Sequence, residues 1–268
     1  MAELFGSWSL SSLIAVGGLG EVWRATSIEP RFEGIAAAVK RLHTHLARND
    51  EAREMFATEQ MLAMSLPRHP GVQRGLEPGV VDGRPFIAFE LAPGEDLRRI
   101  VAPPASRDDA APAAVTLPKD RALAIVRDAC DAAHHLHTHG WVHGDVCPGN
   151  LIVDGDRAIL IDLGVAKKLG QAGTVRGTHA YMAPEQVRGE AWTAATDVFA
   201  LGVVLWELVA GKRLFHRGPP WLTMAAVVEE AAPALADPVL DAIVQAALVK
   251  DPAQRIPSAR ELATRLSN

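Results

Sequence analysis

His143-Gly144-Asp145-Val146-Cys147-Pro148-Gly149-Asn150, followed after one short strand and turn by Asp162-Leu163-Gly164, is the stretch on which the reading of this chain turns. Asp145 can orient an attacking hydroxyl oxygen or accept its proton. Asn150, on the same loop, can reach a metal ion, and Asp162 can hold Mg²⁺ between phosphates. Phosphoryl transfer asks little of a protein beyond such positioning and charge neutralisation. The loop alone leaves open whether the accepting hydroxyl is on a protein or on a small molecule, so the rest of the chain has to separate the two.

Toward the N-terminus, Ala15-Val16-Gly17-Gly18-Leu19-Gly20-Glu21-Val22 lies between two strand-like runs, Leu10 to Val16 and Glu21 to Thr26. A hairpin of small residues lets backbone approach an anion closely, although an ordinary glycine turn has the same composition. Ala37-Ala38-Val39-Lys40 reads as an apolar strand ending in a lysine, and Met55 to Leu62 as a helix carrying Glu59. A lysine that touches phosphates from a buried strand needs a carboxylate to fix it, and Glu59 is the candidate. A solvated Glu on an amphipathic helix is the competing reading, because Glu51 and Glu54 populate the same segment.

Three further motifs bear on the choice. Tyr181-Met182-Ala183-Pro184-Glu185-Gln186 contains an Ala-Pro-Glu, Asp197-Val198-Phe199-Ala200-Leu201-Gly202 opens an apolar helix, and Asp251-Pro252-Ala253-Gln254-Arg255 supplies an arginine. In that order, with the glycine hairpin, lysine strand and His-Gly-Asp loop, the chain resembles the eukaryotic-like Ser/Thr protein kinases of bacteria over nearly its whole length. The resemblance implies an α+β, two-lobed fold: residues 1–92 as a small antiparallel sheet lobe with one main helix, and 93–268 as a larger, mainly helical lobe, with the kinase domain over 8–266. It implies ATP with Mg²⁺ (or Mn²⁺), a protein substrate or signalling partner, and transfer to Ser or Thr hydroxyls, the chain itself included.

The same resemblance assigns roles. Ala15, Gly17, Gly18 and Gly20 would cover the phosphates, and Lys40, fixed by Glu59, would bridge α and β phosphates. Asn150 and Asp162 would hold Mg²⁺, and Asp145 would orient the substrate hydroxyl. Thr178 matches the threonine that contacts the catalytic Asp in Ser/Thr-selective relatives. Phe89 would be the gatekeeper, Glu90 and Ala92 would offer backbone groups to adenine, and Asp96 would accept from the ribose. Val22, Ala38 and Ile152 would sandwich the purine, since an aromatic ring needs apolar faces; plain core packing accounts equally well for each of these three. His143 is expected to pack rather than to act as acid or base.

Departures from the pattern matter as well. Ala15 replaces a glycine, Leu163 a phenylalanine, and Gly144 the arginine that receives an activation-segment phosphate, so loop phosphorylation is not expected to be needed for order. Cys147 stands where a lysine normally neutralises the γ-phosphate, a change that costs on the order of 10²-fold in rate. Lys167, Lys168 and Arg176 are the candidate stand-ins. Cys147 reads either as a redox switch or as an inert small residue. These departures keep a pseudokinase scaffold in view as the alternative, with a small-molecule kinase behind it. Thr174 is the better candidate for autophosphorylation, because Thr178 has a structural assignment.

Composition agrees with this reading. At 268 residues the chain exceeds the usual single-core size. A net charge of -5 offers no case for nucleic acid or an anionic membrane. Two cysteines, Cys130 and Cys147, imply no disulfide framework. No apolar run is long enough to span a bilayer, so no membrane insertion and a cytoplasmic location are expected. Val101 to Pro118, rich in Ala and Pro, is expected to be a surface loop, and Lys119 to His139 a helix delivering the catalytic loop. The His135 and His139 pair is discounted as a metal site, since no Glu lies between them.

Overall fold

Strand alternation around Lys40 organises the first part of the chain. A computed structural model describes residues 3–101 and 116–268; the Ala- and Pro-rich loop falls almost wholly on 102–115, outside the described residues. Contacts group Met1–Ala92 with Asp162–Gly164 as one unit, and Pro93–Ile161 with Val165–Asn268 as a second.

In the first unit β1 (Glu3–Phe5), β2 (Trp8–Val16), β3 (Gly20–Ser27) and β4 (Ala36–Leu42) precede helix α1 (Asp50–Ser65), and β5 (Gly75–Val81) and β6 (Arg84–Glu90) follow it. They form an antiparallel sheet in the order β1-β2-β3-β4-β6-β5. Successive side chains on a strand point to opposite faces. Ala37 and Val39 therefore join Trp8, Leu10, Phe86 and Ala88 in one core, while Leu42 joins Ile87, Phe89 and the Ala52, Phe56 and Ala63 of α1 in another. Lys40 pairs with Ile87 in register and so projects to the face that α1 covers. The helix begins at Asn49, whose side chain accepts from the Ala52 amide at 2.8 Å, with Asp50 and Glu51 in its first turn, where carboxylates suit the helix dipole.

In the second unit β7 (Glu95–Asp96) and α2 (Leu97–Val101) lead to α3 (Lys119–Thr138), β8 (Trp141–Val142), β9 (Leu151–Asp154), β10 (Arg157–Leu160) and β11 (Lys167–Lys168). Helices α4 (Pro184–Val187), α5 (Ala194–Ala210), α6 (Pro220–Glu229), α7 (Pro238–Ala247) and α8 (Ala259–Arg265) complete it. Helix α5 is apolar on all sides, burying Val198, Phe199, Leu201, Val203, Leu205, Trp206 and Leu208, as a helix does only at the centre of a core. It starts at a Thr193–Thr196 capping box and stops at Gly211, φ 64°, a left-handed position that glycine adopts without penalty. Helix α3 packs against α5, α8 and β10. Gly94, φ 106°, sits where a Cβ would lie 2.2 Å from the Val153 carbonyl oxygen, and this close approach lets β7 pair with β9.

One ion pair ties three of these segments together. Glu185, in α4, receives Arg255 Nη1 at 2.7 Å and Nη2 at 2.9 Å, and Thr196 Oγ1 donates to the same carboxylate at 3.0 Å. The guanidinium also donates to the carbonyls of Ala195 and Val249 at 2.6 and 2.8 Å and lies over the Phe199 ring. Both side chains have no exposed surface, and such a pair persists only when its hydrogen bonds are met.

Two outcomes are expected. Arg255→Ala leaves the Glu185 carboxylate buried and unpaired, costing about 3–5 kcal/mol in urea unfolding; a loss below 1 kcal/mol would contradict the pairing. Gly20→Ala places a methyl 2.2 Å from the Arg41 carbonyl oxygen and is expected to cost about 1–3 kcal/mol. Gly18→Ala meets nothing within 4 Å and should leave the unfolding midpoint in place.

Candidate active site

Helix periodicity selects Glu59 from the acids of α1. Ala52, Phe56, Glu59, Leu62 and Ala63 form the buried face of α1, whereas Glu51 and Glu54 are exposed. A carboxylate on a buried face needs a partner, and Lys40 Nζ donates to both Glu59 oxygens, at 2.7 and 2.9 Å. The same ammonium donates to Asp162 Oδ1 at 2.7 Å. Asp162 is held in the left-handed region, φ 64°, and its Oδ1 also accepts the Gly164 amide at 3.1 Å. Burial works against the Lys40 charge, but the Asp162 and Glu59 carboxylates outweigh it and raise its pKa. Burial pushes the Glu59 carboxyl up to about 7 against the pull of Lys40. Two carboxylates around one ammonium leave excess negative charge, and these are the hard oxygen donors that Mg²⁺ prefers.

The second group lies on the loop after β8. Asn150 donates Nδ2 to the Asp145 carbonyl at 2.8 Å and to its Oδ2 at 3.0 Å, which spends both amide protons and leaves the side-chain oxygen as the group able to ligate a cation. Asp145 Oδ1 accepts the Thr178 backbone amide at 2.8 Å. The expected Thr178 contact is therefore made by the main chain, while its hydroxyl donates to Cys147 Sγ at 3.5 Å. Gly177 passes so close that a Cβ there would sit 2.9 Å from Asp145 Oδ1.

The loop hangs from Asp197. Its carboxylate accepts the His143 and Gly144 amides at 2.9 and 2.8 Å and His137 Nε2 at 2.8 Å. Burial opposes its charge, but the His137 bond and the other donors hold its pKa below the ordinary carboxylate value. Gln186 Nε2 donates to the Gly144 carbonyl at 2.9 Å. Sequence reading marked Asp197 only as a helix start and passed over His137 and Gln186. An acid in the first turn of an otherwise apolar helix was the available signal. His143 is buried, packed as expected, with Nε2 3.1 Å from the Ile161 carbonyl.

Other expected residues fall as follows. Gly17 closes its turn by donating to the Gly20 carbonyl at 2.8 Å; Ala15, Gly17 and Gly18 are exposed, while Gly20 is buried against β4. Phe89 and Ala38 are buried core residues opposite one another, and Val22 and Ile152 are half-buried. The Glu90 amide is engaged with the Arg74 carbonyl at 2.9 Å and its carbonyl accepts Gln73 Nε2 at 3.2 Å, so a ligand would have to share that carbonyl through its second lone pair. Ala92 is half-buried at the end of the first unit. Both Asp96 oxygens serve Arg98, through its amide at 2.8 Å and its Nη2 at 3.1 Å, so a ribose hydroxyl would have to share them. Of the three cations named as stand-ins for the missing lysine, Lys167 and Lys168 are placed in β11 opposite Val142 and Trp141, with Lys168 over the Trp141 ring. Arg176 directly precedes Gly177, whose Cβ position would lie 2.9 Å from Asp145 Oδ1.

Cys147 is buried, and burial, with Asp145 nearby, pushes its thiol up to about 12. At neutral pH only about one molecule in 10⁵ carries the thiolate, which disfavours the redox switch. Burial also raises Cys130. Neither cysteine should label with iodoacetamide at pH 7.5 in the native protein, and both should after unfolding; rapid native labelling of Cys147, seen by mass spectrometry, would contradict this environment.

The description "Protein kinase domain" matches residues 8–265. Among curated relatives, a probable serine/threonine-protein kinase of Corynebacterium efficiens is 32% identical over 97% of this chain and 40% of its own length. The serine/threonine-protein kinase PknB of Mycolicibacterium smegmatis is 32% identical over 97% of this chain and 42% of its own. PknJ of Mycobacterium tuberculosis is 29% identical over 97% and 45%. The chain thus spans less than half the length of these relatives. With the family match extending from β2 to the last residue of α8, this chain belongs to the protein kinase domain family.

Proposed function

We propose that this chain transfers the γ-phosphate of ATP to Ser and Thr hydroxyls of a protein substrate, itself included, in bacterial signalling within the cytoplasm. The observation that carries the reading is the pairing of Lys40 with Glu59 and Asp162 at 2.7–2.9 Å, because a lysine held on two carboxylates is poised for phosphate oxygens. The names of the relatives support the Ser/Thr class. The glycine turn Gly17–Gly20 would cover phosphates, Val22, Ala38 and Ile152 would sandwich the purine with Phe89 as gatekeeper, and the backbone of Glu90 and Ala92 would meet its edge. Asn150 and Asp162 would hold Mg²⁺, which when bound neutralises phosphate charge.

Asp145 orients the substrate hydroxyl and receives its proton late in transfer. Its two oxygens are held apart in role, Oδ2 by Asn150 and Oδ1 by the Thr178 amide, so the carboxylate cannot rotate away. Arg176 is the cation for the position where relatives of the resemblance carry lysine and this chain has Cys147. Cytoplasmic placement is supported by two buried free thiols, and no helix among the described residues is long and apolar enough to cross a membrane.

The test is transfer of labelled γ-phosphate from Mg-ATP to the protein and to a generic basic substrate. Wild type should incorporate label, and Asp145→Asn and Lys40→Met should each lose it; a wild type without transfer would overturn the proposal. Thr174→Ala should retain basal transfer within about threefold, whereas Arg176→Ala should lower kcat by about tenfold or more, the scale of one lost transition-state contact. Lys168→Ala provides the comparison and should lose little.

A further inference from the structure

Two glycines far apart in sequence owe their lack of a side chain to the same indole. A Cβ on Gly144, φ 76°, would lie 2.3 Å from Trp192 Cζ3, and one on Gly173 would lie 2.2 Å from Trp192 Cζ2. Real Cβ atoms do not approach so closely, so the ring fills the space that side chains would take at both positions. Gly144 belongs to the catalytic loop and Gly173 to the activation segment, and all three residues lie in the second unit. Trp192 has no exposed surface. Its main chain joins the same segment: its amide donates to the Gln171 carbonyl at 3.0 Å, and its carbonyl accepts the Gly170 amide at 2.8 Å. Ala172 and Ala191 form a bridge between the two runs.

We infer that Trp192 is a positioning residue that clasps the activation segment to the catalytic loop, so that the segment is ordered without phosphorylation. The clasp holds residues 170–173, and a few residues on the Thr178 amide meets Asp145 Oδ1 at 2.8 Å. Fixing the near end limits the conformations of the short run between them, and so keeps Thr178 against Asp145. Shape rather than polarity does this, since the buried indole Nε1 meets no hydrogen-bond partner among the described residues. Thr174, the exposed hydroxyl next to Gly173, is then not required as a phosphate anchor.

The kinetic arm of the test rests on the proposed phosphotransfer, but the exchange arm does not, so the two can fail separately. Hydrogen exchange is followed over residues 170–178 of the full chain, shown by mass spectrometry to be unphosphorylated. Wild type should protect this stretch, Trp192→Ala should speed its exchange tenfold or more, and Trp192→Phe, whose smaller ring lacks the atoms that meet the two glycines, should fall between them. Gly173→Ala, which pushes on the ring from the segment side, should release the same stretch and carries the test if Trp192→Ala does not fold. With protein substrate, Trp192→Ala should lower kcat/KM at least tenfold and leave the KM for ATP within twofold, and Trp192→Phe should recover part of the loss. Unchanged exchange in both Trp192→Ala and Gly173→Ala, or a wild-type stretch that becomes protected only after Thr174 is phosphorylated, would overturn the inference.

Discussion

The second unit depends on one buried carboxylate. Asp197 stands in the first turn of a buried and mostly apolar helix, and its ionised form survives there because three donors converge on it. Two are backbone amides of the catalytic loop, so the conformation of His143 and Gly144 is set by the helix at the centre of the core rather than by the loop itself. Loops with few contacts of their own are soft; this one inherits the rigidity of α5. The geometry of Asp145 and Asn150 follows, since both extend from the suspended backbone.

A comparable arrangement governs the first unit, with opposite charge. Lys40 is delivered by strand alternation to the face covered by α1, and Glu59 by helical periodicity to the buried face of that helix. Each would be costly alone in an apolar setting. Together, with Asp162 accepting from the same ammonium, they form a group whose net charge is negative and whose donor atoms are oxygens. The cost of burying these charges is what keeps them together.

Glycine has different meanings at different places in this chain. Gly20 is a glycine because a neighbouring strand backbone comes too close, and Gly94 because the chain must turn over β9. Gly144 and Gly173 are glycines because a tryptophan ring lies against them. Gly17 and Gly18 are exposed, have no positive φ and meet no neighbour closer than 3.8 Å, so neither backbone conformation nor packing asks for glycine there.

Much of this was legible from residue order. The strand ending in Lys40, the helix through Glu59 and the helix from Lys119 all follow local periodicity, which reflects which face must leave water. The His143 to Asn150 loop was legible because its chemistry is concentrated in a few adjacent residues. Contacts between distant segments were not. Nothing local says that Asp197 carries the catalytic loop, that the Thr178 hydroxyl goes to Cys147 while its amide goes to Asp145, or that Trp192 fills the space left by Gly144 and Gly173. Residue order is enough for elements and for clustered motifs, because backbone geometry imposes their periods. Partner choice among buried polar groups and the fitting of one large ring against two bare backbones are decided by packing, which exists only once the chain has folded.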